Sequence, residues 1–252
     1  MSLAGSSTGG VGVLDRSMAI LDAVEAGEGT FTGIVRATGL ARPTAHRLLK
    51  ALEAHGLLTS EDGRGYALGP RLLRLAAAAL RERPLRELAH PVLERLARRT
   101  GESAQLFVRS GDRRICVDAV EAASELRTIV PVGAALPLTA GSAGKVFLAW
   151  ASEEDRARLL QRVPRLTEQT PSAERLAREA SVVRRRGWAT SSGEREPGVA
   201  SVSAPVLGPR SELVAAVSVS GPRTRVGRSP GRRYAPAVVE AAERIGRLLG
   251  HP

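Results

Sequence analysis

Arg42, Thr44, His46, Arg47 and Lys50 crowd one short stretch of the chain, all hydrogen-bond donors and none acidic. Ala45, Leu48, Leu49 and Leu52 interleave with them at i, i+3, i+4 and i+7, the spacing of one buried helical stripe. Donors left exposed around such a stripe suit the acceptor-rich base edges of a DNA major groove, where an arginine can bind guanine through two hydrogen bonds. Pro43 fits the first turn of this helix, because the N–H it lacks would have no intrahelical partner there. Upstream, Ile34 to Thr38 reads as a short apolar helix and Gly39 as the left-handed turn. Residues 34–53 are thus predicted to be a helix-turn-helix whose second helix enters the groove. The alternative is an ordinary helical hairpin with a solvated basic face.

The residues downstream favour the first reading. Gly56-Leu57-Leu58 leads into the turn cluster Ser60 to Gly65, and Tyr66-Ala67-Leu68 resumes an apolar strand. Two short strands around a glycine-containing loop are a hairpin, and a hairpin after a recognition helix is the wing of a winged helix, with Arg64 at its tip. The expected DNA-binding set is Thr32, Arg42, Pro43, Thr44, His46, Arg47, Lys50 and Arg64. Arg42, Thr44 and Arg47 are expected at the bases, Lys50 and Arg64 at phosphates.

The elements that must hold this face run in a simple order. Residues 1–12 are small and polar, a disordered arm without the pattern of a signal peptide. A helix carrying Leu14, Met18, Leu21 and Val24 comes next and opens the winged helix-turn-helix of residues 13–68. Residues 69–83 are an alanine-rich linker helix whose apolar face packs either on a second subunit or on its own domain. Residues 84–252 mix helices with short strands at 104–109, 115–120, 126–130, 188–191, 199–206 and 213–220, closing on a helix from about Ala235 to Leu249. Antiparallel strands flanked by helices make an α+β domain.

The chain of 252 residues carries a formal charge of +11, which suggests a polyanionic partner. Residues 1–83 hold ten Arg/Lys and eight Asp/Glu, a net of only +2, and 35 of the 37 basic residues are arginine. A GC-rich codon bias explains that excess as well as nucleic acid does, so the local cluster of Arg36, Arg42, Arg47 and Lys50 is the more informative charge. The single Cys116 excludes an intramolecular disulfide and a cysteine-rich zinc site. No apolar run approaches the roughly 18–20 residues of a membrane span, so a cytoplasmic protein with no membrane partner is expected.

Seven ordered blocks carry a family likeness. They are Val13 to Arg16; Ala37 to Leu40 with Thr44 to Leu49; Leu68 to Leu72; Leu138 to Lys145; Glu196 to Val199; Ala204 to Val206; and Ser218 to Pro222. Through them the chain resembles the IclR family of bacterial transcriptional regulators. The resemblance implies a winged-helix domain, a linker helix and a GAF-like effector-binding domain, in dimers or dimers of dimers on near-palindromic double-stranded operators. Gly101 to Leu106, Arg114 to Val117, Ala140 to Ala143 and the run Arg184 to Pro205 further resemble the actinobacterial NdgR/AreB branch, which acts on leucine and related amino-acid biosynthesis.

The resemblance also implies a pocket for a small organic or amino acid between the sheet and a short helix. Carried over by motif, Ser142 and Ala143 lie in the loop 141–144, whose N–H groups at a helix start would hold a carboxylate. Ser218 and Ser220, two apart on a strand, face one side and match family ligand contacts. Ser201 stands where many members have Cys and Ser191 where many have Asp, which leaves the pocket rich in hydroxyls and without an obvious carboxylate. Leu126, Ile129 and Leu136 are candidate apolar walls, with core packing the alternative for each.

Serines near a helix start also describe nucleophile sites. Yet His46, His55, His90 and His251 all lie away from these serines in sequence, so no Ser-His pair is expected. Gly141 to Lys145 lacks the residues of a phosphate loop, since Val146 follows the lysine. No enzyme, cofactor or metal is therefore expected. The remaining alternative is a ligand-independent DNA-binding dimer whose second domain serves only oligomerisation.

Overall fold

In the structure, a computed structural model that describes residues 12–61, 65–81, 84–227 and 229–250, the chain divides into two compact units, Met1–Arg83 and Pro84–Pro252. The first comprises helices α1 (Gly12–Glu25), α2 (Phe31–Thr38) and α3 (Arg42–Ala54), the hairpin β1 (Leu58–Glu61) and β2 (Gly65–Leu68), and helix α4 (Pro70–Arg81). Thr30 caps α2 by accepting from Gly33 N at 3.0 Å, and Gly39 closes it in the left-handed conformation at φ 67°. Ala45, Leu48, Leu49 and Leu52 are all buried, as the stripe requires, and the last three share a core with Ile20, Leu21, Val24, Ile34 and Leu58.

Two expectations for the helical surfaces change. Burial in α1 is confined to its second half, leaving Leu14 and Met18 exposed. On α4 Leu72 packs against the core but Leu73 and Leu75 are exposed, so burial on its own domain accounts for only part of that apolar face. Residues 1–11 of the expected arm and the wing tip Arg64 lie outside the described residues, while Gly12, the arm's last expected residue, begins α1.

The second unit opens with α5 (Pro84–Thr100), followed by β3 (Ser103–Ser110), β4 (Arg113–Val120) and β5 (Ala135–Pro137). Helices α6 (Ser142–Trp150), α7 (Glu153–Leu160) and α8 (Ala173–Arg186) come next, then β6 (Ala189–Ser192), β7 (Val199–Leu207), β8 (Leu213–Pro222), α9 (Arg223–Val226) and α10 (Pro230–Gly250). The six strands form one antiparallel sheet in the order β5-β4-β3-β8-β7-β6. Leu106, Val202 and Val217 pack on one face with Leu93 of α5 and Val238 and Ile245 of α10. Phe107, Cys116 and Ala216 pack on the other with Val146 and Phe147 of α6 and Leu176 and Val183 of α8.

The strand expected at 126–130 is irregular, and Leu126 and Ile129 are exposed. The free edge of β4 pairs later, after a turn at Pro131: Cys116 N donates to Ala134 O at 3.0 Å and Gly133 N to Cys116 O at 2.7 Å. Proline cannot donate to a ladder, so pairing starts beyond it. A bulge on the opposite edge of β4 has wider consequences. Leu106 pairs with Asp118 but Phe107 pairs with Cys116, which inserts Val117 as an extra residue. Asp118 therefore faces α5, where it meets His90 Nδ1 at 2.9 Å, while Cys116 and Arg114 turn to the α6 side.

Candidate functional sites: a recognition helix and a polar cavity

On α3 the residues Arg42, Pro43, His46, Arg47 and Lys50 are exposed and Thr44 is half-buried; Thr32 is exposed in the first turn of α2. The Arg42 guanidinium lies 5.1 Å from the centre of the Phe31 ring, and His46 meets the same ring edge-on at 6.4 Å. Phe31 thus braces the first turn and a half of α3. Lys50 pairs with Glu53 at 3.1 Å and Arg36 with Glu28 at 3.1 Å, so two of the four clustered cations already have carboxylate neighbours. Both pairs are solvated, and such pairs are worth little; phosphates can compete for either. Glu53 raises the pKa of the Lys50 ammonium through its hydrogen bond, keeping it charged.

Arg47→Ala is expected to weaken operator binding by about 1–3 kcal/mol while barely changing affinity for random DNA, because a bidentate guanine contact carries sequence information. Parallel titrations of both DNAs check this. An equal loss on each would make Arg47 a phosphate contact instead.

The second site lies between the sheet and the start of α6. Register aligns Ser103, Ser220, Ser201 and Ser191 across four strands, with Gln105, Ser218 and Ser203 in the next row. This polar patch interrupts an otherwise apolar sheet face. Ser142, the first residue of α6, has its Oγ 2.7 Å from both Ser201 Oγ and Ser203 Oγ. Gln105 Nε2 donates to Ser220 Oγ at 3.0 Å. Beside them is a cavity of about 40 Å³ lined by Ser142, Ala143, Ser191, Ser201, Ser218 and Ser220, together with Gln105, Phe107, Arg114, Val130, Leu136, Gly141, Arg195, Glu196 and Val199.

Charge enters this cavity from residues outside the expected pocket set. Arg114 of β4 is 3% exposed, and its guanidinium stacks 5.4 Å from the Phe107 ring centre. Its Nη1 donates to Pro137 O, while Nε has no partner among the described residues. Burial, reinforced by Arg195, lowers its pKa to about 9. Glu194 is also buried; it accepts from Gly141 N at 3.2 Å and forms an ion pair with Lys145 of α6. Lys145 also reaches Glu179 at 2.7 Å and donates to Thr190 O at 3.0 Å. The carboxylate on the cavity wall is Glu196, whereas the buried Glu194 beside it is neutralised by its lysine. Thr167 and Thr170 hold its loop by donating to Gly193 O at 2.6 Å and Glu194 O at 2.8 Å.

Six of the eight residues expected at the pocket line this cavity. Leu126 and Ile129 do not; their loop leaves both in solvent, and Val130 and Leu136 supply the apolar wall. Cys116 is buried nearby, its thiol pushed up to about 12 by desolvation. His90 belongs to the α5 side of the sheet. No described helix is long and apolar enough to cross a membrane.

Comparison with known proteins covers both units. Residues 77–247 match the family described as "Bacterial transcriptional regulator IclR C-terminal", and residues 13–62 match "IclR helix-turn-helix domain". The HTH-type transcriptional regulator BhcR of Paracoccus denitrificans is 34% identical over 250 residues, covering 96% of this chain and 89% of that protein. The transcriptional repressor IclR of Escherichia coli is 29% identical over 252 residues, covering 97% and 92%. Among solved structures, an IclR homologue from Microbacterium hydrocarbonoxydans complexed with 4-hydroxybenzoate superposes with a TM-score of 0.79 at 27% identity, covering 94% of this chain and 98% of that one.

Proposed function

The chain belongs to the IclR family of transcriptional regulators, a regulator rather than an enzyme, and from that premise we propose that it binds a near-palindromic operator as a homodimer or dimer of dimers and senses a small carboxylate-containing metabolite. The observation that carries the sensing role is the cavity, where a helix start, a patch of serine hydroxyls and a buried guanidinium converge. Helix N-termini favour anions, and that of α6 already draws the Glu194 carboxylate to Gly141 N. The 4-hydroxybenzoate of the Microbacterium homologue is itself a carboxylate. The resemblance of Gly101 to Leu106, Arg114 to Val117, Ala140 to Ala143 and Arg184 to Pro205 to NdgR/AreB-type regulators is the support for control of a leucine or other amino-acid biosynthetic operon.

One recognition helix spans only a few base pairs, so useful specificity calls for two half-sites and two copies. The exposed Val13, Leu14 and Met18 of α1 and Leu73 and Leu75 of α4 are apolar surface that a second copy would cover. Sedimentation at micromolar concentration tests this; a monomer would rule it out.

Effector binding can shift operator affinity only by as much as it discriminates between two conformations of the dimer; about 1–3 kcal/mol would give a roughly five- to 150-fold response. Ser220→Leu is expected to fill the cavity and abolish that response while leaving ligand-free operator affinity within about twofold, since the residue lies far from α3 in sequence and in a different unit. Fluorescence anisotropy with and without small acids reads both quantities. Failure of every small acid to bind the wild type would instead favour a ligand-independent DNA-binding dimer.

A further inference from the structure

We propose that a groove along α10 holds the acyl chain of a free fatty acid, with its carboxylate on Arg186 and Arg232. The site is separate from the cavity at the start of α6 and does not depend on it. One wall is a single stripe of α10: Arg232, Ala235, Val239, Glu243, Gly246 and Gly250, spaced three or four residues apart. From Arg232 to Gly250 the helix rises about 27 Å. Gly246 and Gly250 have no side chain and Ala235 only a methyl group, so the stripe is recessed.

The facing wall is the unfinished edge of the sheet. β6 pairs only with residues 200–203 of β7, so Ala204 to Leu207 have no strand on that side among the described residues. Pro205 has no N–H to leave unpaired there. α10 closes in at the same place, where a Cβ on Gly246 would lie 2.6 Å from Leu207 O. Trp150, Trp188, Pro205, Leu207 and Val239 are all only half-buried along this groove. Two adjoining hollows of about 600 and 460 Å³, which share Val239 and Glu243, make it up. Both have the size of small-molecule sites, and both are far larger than the 40 Å³ cavity.

Charge is uneven along the groove. Glu240 and Glu243 border it from α10, but Arg99 lies 2.5 Å from the first and Arg247 3.8 Å from the second. Where α10 begins, Arg186 and Arg232 border the same hollow, and neither has an ion-pair partner among the described residues. Arg186 donates through Nε to Trp188 O at 2.6 Å and lies 3.8 Å from the centre of that ring. Burial lowers its pKa, with Glu179 acting the other way, as for a cation short of counter-charge. A carboxylate there gains charge-assisted hydrogen bonds from two guanidinium groups, and a tail leaving it runs over Trp188, Val239 and Leu207. A nucleic acid would use the arginines but not this apolar floor; an acyl chain uses both.

Titration of the full-length protein with octanoate, decanoate and laurate, below their micellar concentrations, tests this. Trp150 and Trp188, the chain's two tryptophans, both line the groove, so their fluorescence reports occupancy. Each added pair of methylenes should tighten binding about tenfold. Decanoate should bind about tenfold or more tightly than decyltrimethylammonium, which has the same tail and the opposite charge. Arg186→Met with Arg232→Met should erase that preference. Val239→Phe, where the two hollows join, should flatten the chain-length series without lowering the melting temperature. Laurate affinity in Ser220→Leu should match wild type, because that substitution fills the other cavity. Laurate binding no tighter than octanoate overturns the groove as an acyl site, as does a folded Val239→Phe that keeps the wild-type series. Equal affinity for the cationic amphiphile overturns the arginine assignment. Loss of laurate binding in Ser220→Leu would put the fatty acid in the cavity at α6 and overturn the second site.

Discussion

Lys145→Ala is expected to destabilise the C-terminal unit by about 3–5 kcal/mol, the penalty for leaving a buried charge uncompensated. Lys145 and Glu194 are each 4% exposed, so Glu194 would keep only the Gly141 N–H in place of its lysine. Glu179, the second partner, is partly in solvent and retains Arg175 at 2.7 Å, so most of the loss falls on Glu194. In a unit of this size, each kcal/mol lowers the melting temperature by roughly 2–4 °C, which predicts a drop of about 10 °C. Removing both charges, as in Lys145→Met with Glu194→Leu, should recover most of that loss. A single-variant cost below about 1 kcal/mol would mean that water reaches the pair and that the helix start is held by something else. The same substitution also bears on sensing. It frees a negative charge beside the α6 start, so anion affinity should fall together with stability.

How legible each site is in the sequence depends on the range of the physics involved. The recognition helix rests on local periodicity: Ala45, Leu48, Leu49 and Leu52 are buried at the predicted positions, and Gly39 takes the left-handed turn. The serine row is named by resemblance, and register brings it together because strand residues two apart share a face. Arg114 escapes because that rule fails across a bulge. Strict alternation would place Arg114, Cys116 and Asp118 on one face; the extra residue Val117 separates Asp118 from the other two. Glu194 escapes because its partners Lys145 and Gly141 are 49 and 53 residues away in sequence, a pairing no local pattern encodes. The run Leu126 to Val130 resembles a strand because short apolar runs are ambiguous. The edge of β4 instead takes the residues after Pro131.

The division into two units makes a second large effect separable from the first. Leu49 of α3 is fully buried in a core shared with α1, α2 and β1, and Leu49→Ala is expected to cost about 2–5 kcal/mol. A domain of about eighty residues has a total stability of only about 4–12 kcal/mol, so the substitution should remove much of what keeps the recognition helix folded. Operator affinity should collapse far beyond the effect of Arg47→Ala. Small-acid binding should persist, because the cavity belongs wholly to the other unit. The chain supplies its own reporter: its two tryptophans, Trp150 and Trp188, both lie in the C-terminal unit, so tryptophan fluorescence follows that unit alone. Far-UV circular dichroism should show part of the helical signal lost early while the tryptophan transition stays in place. If the tryptophan transition instead moves down by the same amount, the two units unfold as one. Stability would then be shared between them, giving a route by which an occupied cavity could stiffen α3 without any displacement of the recognition helix.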